Sequence, residues 1–243
     1  MTHTRKERHA RTARLLPSPA LDILWDAHVM IFGLGGVGSY AAEALCRSGI
    51  GKLTLVDADT VALSNLNRQL PALHSTLGQP KVQVVQNRLL DIAPDAQIEA
   101  IQAFYLPENP VPLPKDVSFV VDAIDTVSAK LHLASICHDK NIPLVSCMGM
   151  GNRLDPTQIR IGDIFETVDC PLCRVMRREL RRLHIPSLRC VYSAEKTHVS
   201  PVTEETESRA SGRPAPGSVA YVPSVAGLYL AYDVVNRLCG AKM

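Results

Sequence analysis

Residues 28–42, His28-Val29-Met30-Ile31-Phe32-Gly33-Leu34-Gly35-Gly36-Val37-Gly38-Ser39-Tyr40-Ala41-Ala42, run from a short apolar stretch through a cluster of glycines into good helix formers. The run His28 to Phe32 has the length and composition of a buried strand, and Ser39 to Ser48 continues as a helix. Lys52 to Val56 is a second β-type run that stops at Asp57, so the three segments form one βαβ unit. A glycine turn between a strand and a helix is the context in which backbone can approach phosphates. The helix N-terminus there supplies unpaired N–H donors and a positive dipole end.

Downstream the alternation continues. A helix is expected from Lys81 to Ile92, a strand near Ile98 to Ile101, a Pro-rich loop from Pro107 to Pro114, and a strand from Ser118 to Val121. A helix from Ala129 to His138 and a strand from Leu144 to Cys147 follow. Strands alternating with helices of this length imply a parallel sheet covered on both faces. Beyond Gly151 the pattern changes: Gln158 to Ile161 and Arg189 to Tyr192 read as antiparallel additions around a basic helix, Cys173 to His184. The fold class is therefore α/β, doubly wound, with a mainly parallel sheet of Rossmann type and an antiparallel extension in the C-terminal half.

Upstream, residues 1–20 are basic and lack apolar periodicity, which marks an N-terminal arm with order beginning near Leu15; residues 21–243 form a single domain. Lys196 to Gly217 is rich in Ser, Thr, Pro and Gly and is expected to be a mobile loop. Val219 to Leu238 is apolar but carries Pro223, Gly227, Asp233, Asn236 and Arg237, as a buried amphipathic helix would.

With 46% hydrophobic and 21% charged residues, the chain has the composition of a soluble globular protein. The net charge of +2 is too small to imply nucleic-acid binding from the total, so such binding must rest on where the charges sit. No leader and no membrane span are expected, and the expected location is cytoplasmic. Seven dispersed cysteines fit a reduced compartment without disulfides.

Gly33, Gly35, Gly36 and Gly38 cradle phosphates in this reading, and Asp57, at the end of the second strand, accepts hydrogen bonds from ribose hydroxyls. Up to here a nicotinamide-dependent oxidoreductase fits equally well. Asn65-Leu66-Asn67-Arg68-Gln69 and Lys81 separate the two, because they bring two cations and several amides to the carboxyl ends of the strands. Attack on an α-phosphate develops charge on the leaving pyrophosphate, which Arg68 and Lys81 can neutralise. Asp125, after the strand in VVDAID, is placed to hold Mg²⁺ through oxygen.

GLGGVGS, LVDADTVALSNLNRQ, GQPKV and DAID, in this order over residues 28–160, resemble the ThiF/MoeB adenylating family, which includes the ubiquitin-activating enzymes. The resemblance implies ATP and Mg²⁺ as cofactors and adenylation of a carboxylate. It places Asp57 on the ribose, Asn65, Arg68 and Lys81 on the phosphates and Asp125 on the metal, and it extends the nucleotide contacts to Val37, Asp59, Asn67, Gln69, Ala123 and Ile124. Arg68, Lys81 and Asp125 carry the catalytic role.

Within the family, TARLL, VDAIDTVSAK, NIPLVSCMGMGNRLDPTQI and CVYSAE resemble the branch that dehydrates threonylcarbamoyladenosine in tRNA. That branch adenylates the threonyl carboxylate in the anticodon loop, and the substrate's own nitrogen then closes a ring. It implies tRNA as partner, and the family implies a homodimer in which an N-terminal arginine, among Arg8, Arg11 and Arg14, reaches the neighbour's ATP. A sulfur-transfer protein remains open as a further partner.

Arg174, Arg177, Arg178, Arg181, Arg182 and Arg189 against Glu179 form a basic cluster suited to phosphate backbones, with Val175, Met176, Leu180 and Leu183 packing the helix on the sheet. Cys170 and Cys173 form the chain's single CxxC pair, supplying two of the four ligands a structural zinc requires. Cys190 or His184 could complete such a site, but zinc is not expected. The rivals are activation of a ubiquitin-like sulfur-carrier protein at its C-terminus, with Cys190 taking the acyl group, and a non-catalytic tRNA-binding protein with ATP as a structural ligand.

Overall fold

The structure, a computed structural model, describes residues 4–16, 19–198 and 216–240. Its elements, in order, are α1 (Arg5–Arg8), α2 (Ala20–Asp26), β1 (His28–Phe32), α3 (Gly38–Ser48), β2 (Lys52–Val56), α4 (Lys81–Ile92) and β3 (Gln97–Ile101). There follow β4 (Phe119–Asp122), α5 (Val127–Asp139), β5 (Leu144–Cys147), β6 (Ile159–Asp163), α6 (Pro171–Arg182), β7 (Arg189–Ser193) and α7 (Tyr221–Cys239).

Seven strands form one sheet in the order β3-β2-β1-β4-β5-β7-β6. Six of them are parallel, and only β6 runs antiparallel, against β7. The expected antiparallel extension is thus the β6–β7 pair, with the refinement that β7 itself extends the parallel sheet from β5.

Because successive strand residues point to opposite faces, β1 sends Val29 and Ile31 to one core and Met30 and Phe32 to the other. The first core lies under α2, α3, α4 and α7; the second lies under α5 and α6. All five β1 residues are buried, which accounts for a run without the polar alternation of a half-exposed strand. Gly227 lets α7 close onto the start of α3, since a Cβ there would collide with the Val37 carbonyl. No helix among the described residues is long and apolar enough to cross a membrane.

Three expectations are corrected. Order does not wait for Leu15: Thr4 and Glu7 form a capping box on α1, Arg8 pairs with Asp95, and His9 is buried over Gly49. On α6, Cys173, Met176 and Leu180 share the buried face, whereas Val175 is 37% exposed and Leu183, just past the helix end, is 47% exposed. At about 100° per residue, Val175 points away from the face that Met176 occupies. Arg177 and Arg189 are anchored within the fold, Arg177 to the Ile164 carbonyl and to Thr167, and Arg189 to buried Asp233 at 2.8 Å. Of the expected mobile loop, residues 199–215 lie outside the described residues.

Candidate active site

The chain winds from β1 to β2 and β3 on one side, and β4 and β5 continue on the other. Loops leaving the carboxyl ends of β1 and β4 diverge, and the crevice between them is where doubly wound sheets hold ligands. A cleft of about 390 Å³ opens there. Gly33, Gly35, Gly36, Val37, Asp57, Asp59, Asn65, Arg68, Gln69, Lys81, Ala123, Ile124 and Asp125 all line it. Gly38 and Asn67 do not: Gly38 packs α3 against the Gly33 carbonyl, and Asn67 donates to the Ser218 carbonyl at 2.9 Å while accepting from Arg68 at 2.8 Å.

Gly33 takes φ +88°, and a Cβ there would stand 2.7 Å from the Ala123 carbonyl oxygen. Its N–H donates to the Val56 carbonyl at 2.8 Å, drawing the turn across the end of β2. A Cβ added at Gly35 would find Gln69 Nε2 as its nearest neighbour, 3.8 Å away, so the backbone is bare towards the cleft. The α3 N-cap is Val37, which offers no side-chain acceptor to the first turn. A bare turn followed by uncapped amides suits an anionic phosphate.

Asp57 accepts from the Leu34 N–H at 2.6 Å and the Asp59 N–H at 2.8 Å. Burial raises its pKa above the usual carboxylate value, against the attraction of Lys81 and these two amides. Lys81, buried at the start of α4, donates to Asp59 Oδ2 at 2.7 Å. Arg68 is braced by the Ser64 carbonyl at 2.9 Å and by Asn67. Asn65 closes the turn that carries Arg68 by accepting from the Ala62 N–H at 3.1 Å. Asp125 lies exposed at the cleft edge, immediately before Thr126, which is the N-cap of α5.

Ala103, Phe104, Tyr105, Met150, Gly151 and Pro223 also line the cleft, and none of them was assigned to it from the sequence. The first five follow β3 and β5 directly, so the rule that ligands sit beyond carboxyl strand ends could have found them. Pro223 comes from α7 and gave no local signal. Tyr105 is fixed by a 2.9 Å hydrogen bond with His132 Nδ1 and by edge-on contact with Phe32. Cys170, Cys173 and Cys190 are all buried. His184 is exposed at the far end of α6, away from them.

The fold and cleft define a nucleotide-binding protein of the doubly wound α/β class; the ThiF family model matches residues 7–243, and the chain belongs to that family. It is 39% identical to the tRNA threonylcarbamoyladenosine dehydratase of Bacillus subtilis over 94% of this chain and 93% of that protein. To the Escherichia coli enzyme of the same name it is 41% identical over 72% of this chain and 66% of the other. The solved structure of E. coli tRNA N6-threonylcarbamoyladenosine dehydratase, TcdA, in complex with ATP is similar with a TM-score of 0.85 and 32% identity, over 99% of this chain and 98% of that one.

Proposed function

We propose that this protein is an ATP-dependent dehydratase that cyclises threonylcarbamoyladenosine in tRNA by adenylating its carboxylate. The observation that carries the reading is the convergence of the bare glycine turn, Asp57, Arg68 and Lys81 on one cleft, in a chain similar over nearly its whole length to such dehydratases. Bound ATP supplies an α-phosphate open to attack by the substrate carboxylate, with pyrophosphate as leaving group.

The glycine turn and the α3 N-terminus hold the phosphates, and Asp57 holds the ribose hydroxyls. Lys81 and Arg68 offset the charge that grows on pyrophosphate. Asp125 would hold Mg²⁺ through a carboxylate oxygen, and the metal would offset charge on the phosphates. The activated carboxyl is then attacked by the substrate's own nitrogen; AMP leaves and the substrate loses one water in total. No protein nucleophile is required. This agrees with Cys147, whose burial pushes its thiol up to about 12. The Cys173 thiol also rises, to about 11: the influence of Cys170 lowers it, but that of Cys190 and burial together outweigh the effect.

Sulfur-carrier activation is less well supported, because Cys190, its candidate acyl acceptor, is fully buried. The exposed arginines of α6, Arg174, Arg178, Arg181 and Arg182, offer a face for the tRNA backbone. The protein works in the cytoplasm, where its tRNA is. It acts as a homodimer in which Arg11 or Arg14, both exposed, reaches the partner's cleft, Arg8 being held by Asp95. Mixing an arm-deleted protomer with an Arg68→Ala protomer then restores turnover; no recovery counts against the arrangement.

Mass spectrometry of nucleosides from modified tRNA, incubated with the protein and Mg-ATP, tests the main reading. Threonylcarbamoyladenosine lighter by one water, formed together with AMP and only when ATP is present, is the expected result. Its absence under these conditions would turn attention to ubiquitin-like carrier proteins.

A further inference from the structure

Behind the cleft wall, three polar side chains are buried together. Lys130 of α5 is 1% exposed, and Asp122, the last residue of β4, and Ser146 of β5 are fully buried. The Lys130 ammonium donates to Asp122 Oδ2 at 2.9 Å, to Ser146 Oγ at 3.2 Å and to the Cys147 carbonyl at 2.7 Å, so all three of its protons are used. Ser146 donates to the same Asp122 oxygen at 2.5 Å. The other Asp122 oxygen accepts from the Ile124 N–H at 3.1 Å.

Asp122 and Ser146 are register partners on neighbouring parallel strands, so the network ties the carboxyl ends of β4 and β5 to the first turns of α5. The segment it holds, Ala123 to Thr126, does two things. Its Ala123 carbonyl packs against Gly33 of the phosphate turn, and it carries Asp125 into the cleft. A buried ion pair is commonly no more stabilising than an apolar replacement of the same shape. Its use here is directional: each hydrogen bond fixes one end of a short loop whose other side forms the cleft.

We infer that Asp122, Lys130 and Ser146 are positioning residues, which set the 123–126 loop so that the Asp125 carboxylate is presented at the cleft, where it would hold Mg²⁺. The inference rests on the proposed role of Asp125 as the Mg²⁺ ligand. None of the three residues lines the cleft, so each acts through the loop.

The test is a double-mutant cycle on Ser146 and Asp125, read as Mg²⁺-dependent AMP formation. Ser146→Ala keeps the ion pair and deletes two hydrogen bonds. It is expected to lower kcat about tenfold and to raise the Mg²⁺ concentration for half-maximal rate, with metal-free ATP binding changed less than about twofold. In an Asp125→Ala background, Ser146→Ala has no further effect. Independent, multiplying losses in the double variant overturn the inference while leaving the Asp125 role standing. If Asp125→Ala alone leaves the rate and its Mg²⁺ dependence unchanged, the metal role falls and the positioning role falls with it. Should Ser146→Ala fold poorly, Lys130→Arg gives the second reading. A planar guanidinium cannot copy the ammonium's three-way bonding, so the same Mg²⁺ shift is expected, and a lowered Tm with an unchanged Mg²⁺ dependence overturns the inference.

Discussion

The Lys81 ammonium lies 2.7 Å from Asp59 Oδ2, and the Lys81 N–H also donates to the Asp59 carbonyl at 2.9 Å. The loop leaving the cleft-facing end of β2 is thus bound at two points to the first residue of α4. The pair fixes Lys81, the only lysine of the cleft lining among the described residues. Lys81→Ala is expected to slow AMP formation about 10²–10³-fold, the usual loss when a group that stabilises transition-state charge is removed. Far-UV circular dichroism should be unchanged. Asp59→Asn, which keeps the shape and removes the charge, should raise the ATP concentration for half-maximal rate about tenfold. A Lys81→Ala rate equal to that of the parent would sink the assigned role.

Gly33→Ala should cost about 3 kcal/mol of stability, because it joins a positive-φ penalty to a close approach. The new methyl would meet the Ala123 carbonyl at 2.7 Å, a backbone atom that cannot swing aside. Denaturant unfolding measures the loss, and repeating it with Mg-ATP should show that the ligand no longer stabilises the variant.

His9 and His28 make stability fall in mild acid. Burial lowers the pKa of each below its ordinary 6.5; for His9 the charges of Arg8 and Arg5 add to this, while for His28 the Asp116 carboxylate, 3.2 Å from Nδ1, opposes it. A depressed folded pKa means that the unfolded chain takes the proton first. The contribution is therefore complete above pH 6.5 and is lost as the pH falls towards the folded value. His9 has neither ring nitrogen paired, so protonation there would leave buried N–H groups without acceptors. Thermal unfolding between pH 8 and 5 should show Tm dropping below about 6.5, less steeply in His9→Gln; equal slopes for the two proteins would refute the assignment.

The outer face of α6 should set the salt dependence of tRNA binding. Glu179 pairs with Arg178 at 2.6 Å and with Arg182 at 3.1 Å, and the Arg181 guanidinium lies over Phe165. Replacing Arg178 and Arg181 by Gln should weaken binding, and each loss should reduce the slope of log K against log salt by about one. ATP binding should be unaffected. An unchanged slope would place the tRNA elsewhere.

The cleft was legible from its parts to an unusual degree where function and local backbone coincide. Gly33, Asp57 and Lys81 each announce themselves by standing next to a strand end or a helix start, and all three line the cleft. Asp122 carried no such sign: within VVDAID it has the same local setting as Asp125, three residues on. Only packing separates them, for Asp122 is sealed between β4, β5 and α5 while Asp125 lies exposed. The arginines of α6 show the same limit, since Arg177 and Arg178 are neighbours in sequence but one braces the Thr167 turn and the other faces outwards.

From the chain alone came the βαβ units, the glycine turn and the residues that flank it. These depend on short-range requirements: an apolar run long enough to be a strand, glycine where φ is positive or a side chain will not fit, and a helix N-terminus just beyond. Tertiary packing decided that β7 enters between β5 and β6, that Pro223 of α7 closes the cleft against Gly36, and that Lys130 becomes a buried support for the loop bearing Asp125. These are contacts between segments far apart in sequence, and no residue's local preference changes with the neighbour it will eventually meet.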